Sequence, residues 1–313
     1  MFDINLDGVP LDWRIEHIPK EGKPGEFRKL TIPNDKLMDI QRGILNESLY
    51  KVDSLKPTKF AYGFVPYKNT LACVQQHDRK ADFYCMDVKD FFDTFPVEVV
   101  KEQLIKGGME EAYVDELLKA CSYKNTLPQG SPASPCLTNI GMKEVDAMLS
   151  AFAKGAGMTY TRYADDIIMS INFVGTGKPR KKMAVYVFQS TDKLLRDKLG
   201  LKLKRSKNHV IPYRGKAKRQ ILGITIRDDG KGYNAPRKLR RTTRARCFNL
   251  YKKIQAQHGR PYDDDWKEFA AIKGTIMYMD YVRSGSDADV AGPDPIIQDK
   301  YWTYLEGAFN AGN

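Results

Sequence analysis

Cysteine, histidine and tryptophan are scarce in this chain of 313 residues, with 5, 4 and 3 copies respectively. Cys73, Cys85, Cys121, Cys136 and Cys247 are scattered, odd in number and free of CxxC spacing. That pattern argues against a disulfide framework and a cysteine-rich zinc site, and it points to reduced thiols in the cytoplasm. No apolar run reaches the roughly 18 residues that span a bilayer, so no membrane partner is expected. The opening Met1-Phe2-Asp3-Ile4-Asn5-Leu6-Asp7 lacks the basic and apolar stretches of a signal peptide. No Ser/His/Asp or Cys/His arrangement suggests a nucleophilic side chain. Acidic residues are thin in one stretch above all. From Lys178 to Lys253 there are 25 Lys and Arg against 4 Asp, a net +21, leaving −9 for the remainder of a chain whose total is +12. Charge segregated in this way is the footprint of a polyanion, and nucleic acid is the expected partner.

A hydrophobic content of 42% supports a real core, and 29% charged residues supply a solvated surface. The length allows one large domain or two to three packed subdomains. The most informative feature is the tetrad Tyr163-Ala164-Asp165-Asp166, set between Tyr160-Thr161-Arg162 and Ile167-Ile168-Met169. Adjacent aspartates in an apolar strand-turn-strand pattern repel each other, and neither tolerates burial without a partner. A divalent cation is such a partner, because Mg²⁺ prefers hard oxygen ligands. A third carboxylate, Asp87, ends the strand-like run Phe83-Tyr84-Cys85-Met86. Carboxylates converging from two strand ends suit two-metal phosphoryl transfer, with two Mg²⁺ ions, or Mn²⁺ in their stead.

Residues 12–33 read as a β-hairpin around a turn-rich Lys20-Glu21-Gly22-Lys23-Pro24-Gly25. Pro33-Asn34-Asp35 opens a helix, and another is expected at about 69–76. Two more follow the Asp87 strand, at 97–105 and 112–120. Leu127-Pro128-Gln129-Gly130-Ser131-Pro132 is a rigid turn ahead of one helix from Pro135 to Ala153. Met158 to Ser170 is a hairpin with the double Asp at its tip. Val174 to Lys182 reads as a loop, Val185 to Leu199 as a helix, and 208–211 and 220–226 as strands. Asp228-Asp229-Gly230 is a hairpin turn. Beyond about 236 the pattern is helical, with a Gly285–Pro295 loop before an aromatic helix. Leu239, Leu250 and Ile254 form an apolar stripe on the first of these helices, with Arg237, Lys238, Arg240, Arg241 and Arg244 facing outward. The sum is α+β, a sheet backed by helices and followed by a helical end.

The order Asp87-x-x-x-Phe91-Phe92, Leu127-Pro128-Gln129-Gly130-Ser131-Pro132-x-Ser134-Pro135, Tyr163-Ala164-Asp165-Asp166 and Leu222-Gly223 resembles a reverse transcriptase. Ile18-Pro19-Lys20…Arg28…Pro33 is similar to the fingers hairpin of bacterial retron-type enzymes, and the likeness covers about residues 15–280. It implies a right-hand polymerase, with fingers and palm over 1–226 (palm core about 78–105 and 127–226) and a thumb with C-terminal helices over 227–313. It implies RNA-directed DNA synthesis from dNTPs on an RNA template, giving cDNA. Asp87, Asp165 and Asp166, with the backbone carbonyl of Val88, would hold the metals. Lys207 would protonate the leaving pyrophosphate. Lys20 and Arg28 would clasp the triphosphate, and Gln129 and Gly130 would line the nucleotide and template pocket. Phe92 would exclude the ribose 2′-OH. The basic helix from Arg237 would track duplex phosphates, contacts that position without reading sequence. The implied setting is a retron or anti-phage defence system with a partner noncoding RNA and an effector protein. Two retron features are altered. His77 lies ten residues before Asp87 but follows Cys73-Val74-Gln75-Gln76 in place of an Asn-Ala-x-x-His motif, and Ile221-Leu222-Gly223 replaces Val-Thr-Gly. Alternatives are a template-independent or protein-primed defence-associated DNA polymerase, or a non-catalytic nucleic-acid-binding scaffold on the same fold.

Overall fold

The computed structural model describes residues 1–20, 24–172, 176–214, 218–287 and 300–310. The chain divides into two compact units. Residues 1–69 and 82–210 form the first, and 70–81 with 211–313 form the second.

In the first unit, β1 (Trp13–Pro19) and β2 (Phe27–Pro33) pair antiparallel, with Ile18 opposite Arg28. Asn34 caps α1 (Asp35–Ile44), its side-chain oxygen accepting the Leu37 N–H. In the second unit, α2 (Thr70–Val74) follows. Back in the first come β3 (Asp82–Asp87), the short α3 (Phe91–Thr94), α4 (Val97–Lys106) and α5 (Glu111–Cys121). α6 (Ser134–Gly141) and α7 (Lys143–Gly155) lead to β4 (Thr159–Tyr163) and β5 (Asp166–Ile171), then to α8 (Lys178–Leu199) and β6 (His209–Ile211). The sheet order is β4-β5-β3-β6, with β5 antiparallel to both β4 and β3. Strand β3 is buried along nearly its whole length. Its Tyr84 and Met86, with Val100, Leu104, Leu137, Leu149 and Leu195, belong to one continuous core.

Two expectations fail here. The single helix over 135–153 is two helices meeting at Met142. Gly141 lies against the Phe95 ring so closely that a Cβ would sit 2.5 Å from it, and glycine is a weak helix former. The loop expected over 174–182 is already helical from Lys178, with Pro179 tolerated in the first turn, where its missing N–H costs nothing.

The second unit adds β7 (Gln220–Ile221), β8 (Ile224–Ile226) and β9 (Tyr233–Asn234), an antiparallel three-stranded sheet. The single strand expected over 220–226 is a tight hairpin. Leu222 (φ 48°) and Gly223 (φ 79°) turn the chain between Ile221 and Ile224, which face each other. The 228–230 turn closes as expected, with the Gly230 N–H donating to Arg227 O at 3.0 Å. The border between the two compact units falls after 210. Residues 70–81 join the second unit because the buried Arg219 guanidinium donates to the carbonyls of Arg79 (2.7 Å) and Ala81 (3.0 Å). α9 (Arg237–Ala256), α10 (Asp263–Ser284) and α11 (Lys300–Asn310) complete the unit. Thr243, Cys247, Leu250 and Ile254 form the buried stripe of α9, with Leu239 half-buried beside it. Most of the Gly285–Pro295 segment lies outside the described residues. Among the described residues no helix is long and apolar enough to cross a membrane.

Candidate active site

The site is built from the register of two strands. β3 and β5 pair so that Asp87 stands directly opposite Asp166, each at a strand end. Tyr163 also faces Asp166, so Ala164 and Asp165 alone make the turn between β4 and β5. Ala164 takes a left-handed conformation (φ 54°). The Val88 N–H donates to Asp165 O at 2.9 Å and ties the third carboxylate's backbone to the Asp87 strand. On its other side this strand meets 202–204, where Lys89 N–H donates to Lys202 O and Lys204 N–H donates to Asp87 O. Neither of these bonds uses the Val88 carbonyl.

The electrostatics follow from crowding three carboxylates. Asp87 is buried and ion-paired with the Lys207 ammonium, while Asp165 and Asp166 are half-buried. Burial, with the nearby charges of Asp165 and Asp87, pushes the Asp166 carboxyl up to about 7. Burial and Asp87 also raise Asp165, against the lowering pull of Lys207 and Arg28. Burial works against charge on Lys207, yet the hydrogen bond and charge of Asp87, with Asp165 and Asp166, hold its pKa above the usual lysine value. An open cleft of about 320 Å³ is lined by Cys85, Met86, Asp87, Asp166, Ser206, Lys207 and His209.

These residues fit a divalent cation by donor chemistry. Three hard carboxylates crowd one ammonium, a donor set whose mutual repulsion a divalent cation would relieve. Among the described residues no group of three or more His, Cys, Asp or Glu already stands in ligating geometry.

The other expected residues are distributed as follows. Phe92 sits on α3, half-buried, edge-on to Phe91 (5.4 Å) and to the exposed Phe64 (6.2 Å). Gln129 O accepts the Thr31 N–H at 2.7 Å, and Gly130 (φ 127°) approaches β2 so closely that a Cβ would lie 2.6 Å from Thr31 O. Arg28, on β2, is exposed, and its charge is felt at Asp165. Lys20 stands at the hairpin turn, paired with Glu26 at 3.3 Å. Arg237, Lys238, Arg241 and Arg244 are exposed on α9 and Arg240 is half-buried; all five belong to the second unit.

Sequence reasoning passed over Gly63, Asn139, Asp146 and Arg162, which surround the Ala164 turn. Two signals were available. Asp146 falls on the apolar face of α7, three and seven residues before Leu149 and Ala153. Arg162 interrupts an otherwise uncharged strand.

A sheet with paired carboxylates at the tip of a β-hairpin, backed by helices, defines a polymerase palm. Residues 18–226 match the family model described as reverse transcriptase (RNA-dependent DNA polymerase), and the chain belongs to that family. Its similar relatives are of the bacterial retron type. Over 265 residues it is 30% identical to the retron Mx162 reverse transcriptase of Myxococcus xanthus, covering 77% of this chain and 53% of that protein. Over 158 residues it is 31% identical to the retron Ec86 reverse transcriptase of Escherichia coli, covering 50% and 48%. The chain thus spans about half the length of these curated relatives. Among solved structures, telomerase from Candida albicans in complex with a fragment of telomeric RNA aligns with a TM-score of 0.53 at 12% identity, over 96% of this chain and 64% of that one. That likeness speaks to the fold alone.

Proposed function

We propose that this protein is an RNA-directed DNA polymerase that copies a partner noncoding RNA into cDNA by two-metal phosphoryl transfer. The observation that carries the reading is the strand register that sets Asp87 opposite Asp166, with the Asp165 carbonyl bonded to Val88. Asp87, Asp165 and Asp166 would hold two Mg²⁺ ions with help from the Val88 carbonyl. When bound, such a pair supplies an activated primer 3′-OH and charge neutralisation at the leaving pyrophosphate. Lys207 keeps its proton at neutral pH, as an acid poised for pyrophosphate must. Arg28 and Lys20 would meet the triphosphate, Arg as a bidentate fork and Lys as a point charge. Gln129 and Gly130, docked on β2, would floor the nucleotide and template pocket. Phe92, braced by two rings, is stiff enough to exclude a 2′-OH. Residues 1–226 serve as fingers and palm in this reading, and 227–313 as thumb, whose exposed α9 cations follow duplex phosphates. The bacterial retron relatives support a retron setting; an anti-phage defence role with an effector protein is proposed with it.

The test is extension of a primed RNA by purified protein with dNTPs and Mg²⁺, followed by sequencing of the nucleic acid that co-purifies. Labelled cDNA that depends on RNA template is expected, along with a structured RNA joined to DNA. Homopolymer or random DNA, or no product at all, would overturn the reading.

A further inference from the structure

The left-handed Ala164 is held from two directions. From one side comes Arg162. Its side chain and that of Asp146 are both fully buried. Nε donates to Asp146 Oδ1 and Nη2 to Oδ2, both at 2.8 Å. The Tyr160 hydroxyl (2.7 Å) and the Thr58 hydroxyl (3.0 Å) donate to the same carboxylate, so its orientation is fixed on all sides. One further bond leaves the pair: Arg162 Nη1 donates to the Ala164 carbonyl at 3.1 Å. From the other side comes Gly63. A Cβ there would lie 2.4 Å from the Ala164 nitrogen, and the Gly63 carbonyl accepts the Asn139 amide at 2.9 Å. The segment is anchored along β4, with Tyr62 N–H donating to Arg162 O (2.8 Å) and Arg162 N–H donating to Phe60 O (2.9 Å).

A buried ion pair is a poor source of stability, since well-packed apolar residues of the same volume often do as well or better. Its retention is explained by geometry. We infer that Arg162, oriented by Asp146, is a positioning residue for the catalytic turn, and that together with the Gly63–Asn139 contact it sets the direction in which Asp165 and Asp166 present their carboxylates to divalent cations. The inference deepens the polymerase reading of this site. Asp146 and Asn139 come from α7 and α6, so the helices behind the sheet reach the carboxylates through the Ala164 peptide.

Two variants test it. Arg162→Lys keeps a charge but cannot hold both Asp146 oxygens and the Ala164 carbonyl. Gly63→Ala changes no charge and pushes first on the Tyr163–Ala164 peptide. Mn²⁺ binding is read by electron paramagnetic resonance, beside kcat, primer–template affinity and melting temperature. Each variant should bind Mn²⁺ roughly 10- to 100-fold more weakly, the usual effect of removing an outer-shell support. kcat should fall on the order of 100-fold, as a misplacement of about 1 Å does, with primer–template affinity unchanged. Should Arg162→Lys fail to fold, Gly63→Ala decides alone. A folded Gly63→Ala protein with wild-type Mn²⁺ affinity and kcat overturns the inference, as does a change confined to melting temperature. If the wild-type protein binds Mn²⁺ but extends nothing, the polymerase reading fails, while the Mn²⁺ comparison still decides whether the clamp exists.

Discussion

Arg162 and Asp146 are buried together in the β4–α7 layer of the first unit, whereas in the second α9 carries exposed cations on one side and packs a buried stripe into a core with Phe269, Trp302 and Phe309. In that bundle, Phe269 stacks on Phe309 at 4.2 Å and 3°, and on Trp302 at 5.3 Å and 13°. The two regions use burial differently. Apolar packing stabilises without fixing any one polar atom. A buried charge costs several kcal/mol unless fully partnered, so it persists where an atom must be held in place. The second unit buries charges too, at Arg219 and Asp265, so the contrast lies between the buried pair at the Ala164 turn and the exposed α9 surface, which can grip a partner without setting angles.

The sharpest way to break that contrast is to remove a carboxylate. Asp165→Ala should lower primer extension by on the order of 10³-fold, the scale of losing one electrostatic element of a transition state. Duplex affinity, measured by fluorescence anisotropy, should hold. A parallel loss of affinity would mean that the first unit grips nucleic acid through its acidic centre, which reverses the division of labour.

A second effect, roughly 3 kcal/mol, separates the units by pH. His77, in the second unit, is buried, and desolvation lowers its pKa to about 4. Its folded value lies below the unfolded 6.5, so the unfolded chain takes up more protons between the two. Stability is full above about 6.5 and is lost as pH falls towards 4. Asp166 carries the opposite sign. Its pKa is raised to about 7, so without divalent cation its contribution is present in acid and lost as pH climbs to 7. Thermal melts from pH 4 to 8 in chelator should show these opposed trends, and His77→Gln should flatten the acid limb. An acid limb unchanged by that substitution would remove His77 from the account.

Much of this was legible in the chain. The four-motif order singled out Asp87, Asp165 and Asp166, and the strand pairing sets Asp87 opposite Asp166; Lys207 rested on the resemblance alone and lies in the turn Arg205–Lys207, which no period announces. The clamp was not legible as a clamp. Asp146 precedes Arg162 by sixteen residues, and only the packing of α7 on β4 joins them. The helix break at Met142 was hidden for the same reason, since it depends on a contact between Gly141 and Phe95. The turn at Leu222-Gly223 escaped because leucine rarely adopts φ > 0.

Phe92 offers a smaller test on the first unit's side. Phe92→Ala removes a ring held edge-on by Phe91 and Phe64 and should relax discrimination against ribonucleotides by roughly 10- to 100-fold in the ratio of kcat/KM values. Competing dNTP and NTP incorporation opposite the same template base measures it. A ratio that stays put would assign Phe92 to packing.

The smallest effects belong to α9. Lys238 and Arg241 are exposed, and such side chains bind phosphates through counterion release. Each substitution to Ala should flatten the log–log dependence of duplex affinity on salt by about 0.9 for every phosphate no longer neutralised. Affinity at moderate salt should weaken only a few-fold, with kcat at saturating duplex unchanged. Arg240 differs: it is half-buried, and its Nε lies out of reach of solvent. Arg240→Ala should therefore lower melting temperature while leaving the salt slope closer to wild type than Arg241→Ala does. If Lys238→Ala or Arg241→Ala instead lowers kcat at saturating duplex, α9 also sets the position of the primer end, and the geometric role assigned to the Ala164 turn would have to be shared.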